Sequence, residues 1–305
     1  MRPSKLRESL DVAASISPLL RFENFVIAAF IVLAAVLSSG WEIRFAAAQA
    51  GEVSPGGSNA GQLVYDLNCA VCHGVQGDGN GPAASMFLTR PRDFRSGVFK
   101  FRSTPSGSLP ADQDLLRTVT HGLRWTGMIG RPDLNESDRI AVVRYIKAFS
   151  PRFATVKPLP SISVAHEPRR TSALVTQGRE LFRDAGCVSC HGENGRGDGS
   201  SAADMKDDWG WPIRPGDLTW RPLKRGSAFE QIYLTIVTGL SGTPMPAYGD
   251  SLSSNQVWSI IHYLESLVPA ERRLAPDRLL GEEQQGRMAL HMGGMMGTGA
   301  RRFRE

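Results

Sequence analysis

Cysteine is scarce in this 305-residue chain, and none of its four residues stands alone. All four fall in two pentapeptides, Cys69-Ala70-Val71-Cys72-His73 and Cys187-Val188-Ser189-Cys190-His191. That leaves none for a disulfide framework or a solitary catalytic thiol. Long apolar runs are lacking too. The run at residues 25–37 has thirteen residues, which suits the core of an export signal and is short for a membrane span of about 20. There is no basic stripe either: the arginines behind the net charge of +5 are scattered, which argues against a nucleic-acid partner.

What is present begins with the two pentapeptides. Thiols three residues apart can each form a thioether to a haem vinyl group, and the imidazole that follows then sits under the iron as proximal ligand. C-x-x-C-H is accordingly the attachment signature of c-type haem. One C-x-x-C would also suit a redox dithiol or half of a zinc site. Two copies, each followed at once by His and Gly, favour covalent haem over both. The expected cofactors are two covalently bound haem c, on Cys69 and Cys72 with His73 as iron ligand, and on Cys187 and Cys190 with His191.

The motifs lie within a duplicated unit. Ahead of each is a helical pattern with glycine and an aromatic four residues apart, Gly61 with Tyr65 and Gly178 with Phe182. Behind them come paired glycine-rich loops, Gly77-Asp78-Gly79 and Gly197-Asp198-Gly199, then Pro91-Arg92-Asp93-Phe94 and Pro215-Gly216-Asp217-Leu218. Val119-Thr120-His121-Gly122-Leu123 parallels Val237-Thr238-Gly239-Leu240, and a methionine lies six residues past that glycine in each copy, Met128 and Met245. Each copy closes with an amphipathic helix pattern, Ile140, Val143 and Ile146 in one and Val257, Ile260, Ile261 and Leu264 in the other. Asn135 and Ser253 read as N-caps, with Asp138 and Gln256 three residues on.

On these residues each half resembles a class I cytochrome c domain, and the chain resembles a tandem dihaem cytochrome c over about residues 57–150 and 172–270. The resemblance implies a mainly α fold of short helices and loops wrapped around covalently bound haem. It implies a first helix crossing the last at the glycine–aromatic pair, against Tyr145 and Tyr263. It also implies a methionine from the loop before the last helix as sixth iron ligand. Pro244-Met245-Pro246 fits that pattern; Met128 is its counterpart, flanked by Gly127 and Ile129 instead of prolines. Met86 and Met205 follow their histidines too closely for that role and read as core methionines. Arg102 and Arg221 read either as partners of haem carboxylates or as solvated loop charges.

The domain layout expected is a signal peptide or N-terminal anchor at 1–50, a first domain at 57–150, a proline-rich spacer at 151–171, a second domain at 172–270 and a flexible tail at 271–305. The first domain carries eleven Lys and Arg against eight Asp and Glu, and the second eight against eleven, a modest dipole suited to docking or steering. Arginines ahead of the 25–37 run point to export. Either Ala48-Gln49-Ala50 is a cleavage site that frees a soluble periplasmic protein, or residues 25–41 remain as a tether to the inner membrane. Iron closed on both faces exchanges single electrons and has no position for substrate. The function expected is therefore an electron relay between redox partners of a respiratory chain, as a carrier or as a subunit of a membrane complex, and not an enzyme. The alternative is a dihaem peroxidase, in which one iron opens a coordination position.

Overall fold

The computed structural model describes residues 58–273. The segment expected to be a signal or anchor, and the expected tail from residue 274 on, lie outside the described residues. All described residues belong to one compact unit. In its first half α1 (Ser58–Asn68) leads into the single turn α2 (Ala70–His73), followed by α3 (Asp112–His121) and α4 (Glu136–Ala148). The second half repeats that order with α6 (Ser172–Asp184), α7 (Val188–His191), α8 (Phe229–Thr238) and α9 (Ser254–Ser266). Between them stands α5 (Arg152–Thr155). Among the described residues there is no β-strand, only isolated bridges, so the fold is mainly α as the sequence predicts.

Within each half the first helix packs on the last, α1 on α4 and α6 on α9. Glycine permits the approach. A Cβ at Gly61 would collide with the carbonyl of Ala141, and one at Gly178 with the carbonyl of Ser259. One turn further along, the aromatics fill the crossing. Tyr65 is fully buried with its ring 5.3 Å from Tyr145, and Phe182 lies 5.6 Å from Tyr263. Tyr65 Oη also donates to the carbonyl of Gly74 at 2.7 Å, which ties α1 to the loop behind the first pentapeptide.

The last helices start where their caps lie. Asn135 Oδ1 accepts from Asp138 N at 2.8 Å, and Ser253 Oγ accepts from Gln256 N at 3.4 Å while Gln256 Oε1 accepts from Ser253 N at 2.8 Å. Of the face read from the apolar spacing in the first half, Val143 and Ile146 are buried, whereas Ile140 is only half-buried and Val142 takes its place in the core. In the second half Val257, Ile260, Ile261 and Leu264 are all buried.

The connection differs from the expected spacer at its start. Pro151, with φ −61°, opens the short helix α5, whose Phe153 packs edge-on to Phe99 at 5.9 Å. Beyond it the chain is non-helical up to Thr171, and it is strapped to both halves. Ile162 N donates to Ser103 O at 2.8 Å, Trp258 Nε1 to Ala165 O at 3.1 Å and His262 Nε2 to Pro168 O at 3.2 Å.

The halves meet through buried polar groups. Arg225 Nη2 reaches Asp114 at 2.8 Å, both side chains being nearly inaccessible, and Arg225 Nη1 donates to Arg102 O at 2.9 Å. Arg102, only 1% exposed, donates to Thr238 O at 2.6 Å and to Ser241 Oγ. Arg92 lies over the Trp209 ring at 4.1 Å and Arg90 over Trp211 at 4.3 Å. Neither reading of Arg102 as a solvated loop charge nor the same reading of Arg221 survives. Arg221 is 3% exposed and donates to the carbonyls of Leu218 and Trp220 and to Glu265. Both arginines act as buried fasteners, because long side chains with several donors can satisfy backbone carbonyls that two packed segments leave open.

Candidate functional site

Each pentapeptide closes one turn of helix, which is why its residues can act together. His73 N donates to Cys69 O at 2.9 Å and Cys72 N to the same carbonyl at 3.1 Å; His191 N and Cys190 N repeat this on Cys187 O at 2.9 and 3.3 Å. The thiols are free. Burial pushes Cys69 up to about 11 and raises Cys72 and Cys187 as well. A redox dithiol needs the opposite shift, since the thiolate is its reactive form. The shifts at Cys69, Cys72 and Cys187 thus argue against redox dithiol chemistry.

The loop behind each motif folds back by the same bonds, and these correct one pairing. Gly77 N donates to Gly74 O and Gly79 N to His73 O; the matching bonds run from Gly195 N to Gly192 O and from Gly197 N to His191 O. Gly79-Asn80-Gly81 is thus the counterpart of Gly197-Asp198-Gly199, two residues on from the match made through the Gly-Asp-Gly string. The loop's geometry follows the spacing from the histidine, not the identity of the acidic residue. At Gly77, Gly79, Gly195 and Gly197 φ lies between +67° and +77°, the left-handed region glycine enters without strain.

That fold-back holds the imidazoles. His73 Nδ1 lies 3.0 Å from Arg92 O and His191 Nδ1 lies 3.1 Å from Gly216 O. A carbonyl only accepts, so each ring carries its proton on Nδ1 and keeps the Nε2 lone pair for a metal. Burial lowers the proton affinity of both rings, which keeps them neutral as a ligand must be. Phe94 stacks on His73 at 4.4 Å between centroids, and Leu218 follows Gly216 in the second copy as Phe94 follows Arg92 in the first. Arg92 and Gly216 are the positions that the sequence reading passed over. The repeated Pro-x-Asp strings were their signal, and a backbone acceptor leaves no side-chain identity to read.

The two methionine loops match bond for bond. Leu123 N donates to Met128 O at 2.9 Å and Leu240 N to Met245 O at 3.1 Å. Thr126 and Thr243 accept from the methionine amides at 3.1 and 3.3 Å while donating to Leu123 O and Leu240 O, each at 2.7 Å. The flanking prolines of Met245 are therefore not what shapes the loop.

In the second half Cys187, Cys190, His191 and Met245 line one mostly apolar cavity of about 320 Å³, together with Phe182, Tyr248 and Ile260. That is within the roughly 300–1,000 Å³ of small-molecule and cofactor pockets. Met205 also faces this cavity. Met86 is 51% exposed, so the core role read for it fails: it ends a 3-10 turn at the surface. His121 is exposed as well. A covalent haem fits this donor set: two thiols, a neutral imidazole with a free Nε2, a thioether sulfur and an apolar cavity.

A duplicated helical fold with a C-x-x-C-H turn and a matching methionine loop in each copy defines a c-type cytochrome. The Cytochrome c family model matches residues 58–150, and the model described as Cytochrome C oxidase, cbb3-type, subunit III matches residues 173–264. The chain belongs to the c-type cytochromes and carries two cytochrome c domains in tandem. It is 27% identical over 214 residues to the cbb3-type cytochrome c oxidase subunit FixP of Bradyrhizobium, covering 68% of this chain and 60% of that protein. With the cbb3-type cytochrome c oxidase subunit CcoP of Helicobacter pylori it shares 25% identity over 141 residues, which is 45% of this chain and 38% of the relative. The chain thus spans less than two thirds of the length of these curated relatives. A chain of the Kuenenia stuttgartiensis reducing HAO-like protein complex superposes with a TM-score of 0.68 at 41% identity, covering 72% of this chain and all of the other.

Proposed function

We propose that this chain is a dihaem electron-transfer protein that relays single electrons and turns over no substrate of its own. Haem held between an imidazole and a thioether supplies one-electron chemistry at a raised potential. Cys69 and Cys72 would anchor one group and Cys187 and Cys190 the other. His73 and His191 would present Nε2 to the irons, oriented by the carbonyls of Arg92 and Gly216. Met128 and Met245 would occupy the opposite positions.

The observation that carries the reading is the identity of the two methionine loops. A dihaem peroxidase needs its two sites to differ, and the unequal flanks of Met128 and Met245 were the feature in its favour. The same three hydrogen bonds in each methionine loop remove that contrast. The named relatives, subunits of cbb3-type oxidases, support a partner within a membrane respiratory complex, with this chain as carrier or subunit. Export of the haem domains to the periplasm follows from the arginines and apolar run near the N-terminus, by cleavage near Ala50 or by tethering through residues 25–41. Redox encounters of this kind bury little area and are transient.

Mass spectrometry of the denatured full chain, made in cells with haem-attachment machinery, tests the reading. The expected mass carries two haems, located on the peptides holding Cys69 with Cys72 and Cys187 with Cys190. A mass carrying one haem or none contradicts it. Fractionation of the same cells should place the haem protein in the periplasm or the inner membrane, and haem protein confined to the cytoplasm would refute the export claim.

A further inference from the structure

The wall of the second half's cavity is not built by the second half alone. Thr89, Lys100 and Phe101 of the first half line it together with Lys224. Both lysines are held where ammonium groups are costly. Burial lowers the proton affinity of each, and Lys100, which also feels Lys224 and Arg92, is pushed down to about 7 despite the opposing pull of Asp207. Arg225 lines the same cavity but is already committed to Asp114 at 2.8 Å. Among the described residues the structure gives the Nζ of Lys100 and of Lys224 no hydrogen-bond or ion-pair partner. Two like charges sunk beside one apolar cavity, with only the distant pull of Asp207 on Lys100 and no bonded counter-ion, are unfavourable unless what fills the cavity is an anion.

We propose that Lys100 and Lys224 together bind the carboxylate side groups of the second half's haem, so that the first half completes the second half's cofactor site. The proposal rests on the haem reading above. The same cavity is lined by Cys187, Cys190 and His191, so any haem attached to those thiols has its ring here. Its carboxylates are the only negative groups it brings, and the two ammonium groups are suited to them. The carboxylate edge then lies at the seam between the halves, against the segment that carries Lys100.

The test is a redox titration of the full chain that resolves two midpoint potentials, with the haem count taken by denaturing mass spectrometry on the same samples. Removing a positive charge beside a haem favours the more positive, oxidised iron. Lys100→Gln and Lys224→Gln are each expected to lower one midpoint potential and leave the other in place. The potential affected should be the same in both variants, and the same one that Met245→Ala alters. Lys100→Arg, which keeps the charge, should leave both potentials at the wild-type values. If Lys100→Gln does not accumulate, Lys224→Gln and Lys100→Arg carry the comparison. With two haems present, unchanged potentials overturn the proposal, as does a Lys100 effect confined to the first half's haem. A wild-type protein without haem would sink the underlying reading instead.

Discussion

Two imidazoles differ in their neighbours yet present the same nitrogen. His73 stacks on Phe94 and His191 does not have that partner, but each is fixed by one backbone carbonyl at about the same distance, 3.0 and 3.1 Å. Constancy of the Nδ1 bond, with variation around it, is what a required tautomer produces. The equivalent argument on the other side concerns sulfur. If Met128 and Met245 are ligands, Met128→Ala and Met245→Ala should have matching effects. Each should turn one haem high-spin or pass it to a substitute ligand, and each should lower that haem's potential, since the thioether is what raises it. Electron paramagnetic resonance of the oxidised variants, with a redox titration, reads both changes. A Met128 variant that leaves its haem unaltered would assign that iron another ligand. His121, exposed at the end of α3, would be the first to test.

At the level of helices, the crossing of first on last sets where the motifs sit, and glycine sets the crossing. Gly178→Ala should destabilise the second half by about 1–3 kcal/mol, the usual range for forcing an extra carbon into a packed contact. Chemical unfolding measures that directly. Ser253→Ala, which removes the side-chain half of a reciprocal cap and leaves the bond from its backbone N to Gln256 Oε1, should lower stability by about 1 kcal/mol in the same assay without touching the haem spectrum. These elements were legible in the sequence because their causes are local. A cap residue, a glycine four before an aromatic and an apolar face at helical spacing all declare themselves within a dozen residues. The glycine loop was read two residues out of register because the Gly-Asp-Gly string is a chance identity, whereas the bonds count from His73 and His191. Met86 was read inward because a methionine's burial depends on packing from elsewhere. The burial of Arg102 and Arg221 was hidden for the same reason: their partners lie 136 positions away at Thr238 for one and 44 away at Glu265 for the other. The spacer's short helix α5 follows from Pro151 and from Phe153 finding Phe99, the second of which no local pattern announces.

The described residues form two copies of one fold held by a polar seam whose central ion pair is buried. Asp114 and Arg225 sit at its centre, and the carboxylate also accepts from Ser103 N and Ala111 N. Removing one partner of such a pair leaves the other charged and buried, which costs about 3–5 kcal/mol. Arg225→Leu should therefore lower overall stability by that order. It should also split a single unfolding transition into two, one for each half, in calorimetry of the haem-loaded protein. A single transition at the wild-type temperature would mean that the seam does not couple the halves. The matched sites on either side of it make the central claim a statement about both irons at once. The direct measurement is the electron paramagnetic resonance spectrum of the oxidised wild-type protein, quantified against its haem content and followed by addition of peroxide. Two low-spin, six-coordinate haems are expected, with no high-spin signal and no peroxide turnover. A stoichiometric high-spin haem that consumes peroxide would contradict the central claim and make the chain an enzyme.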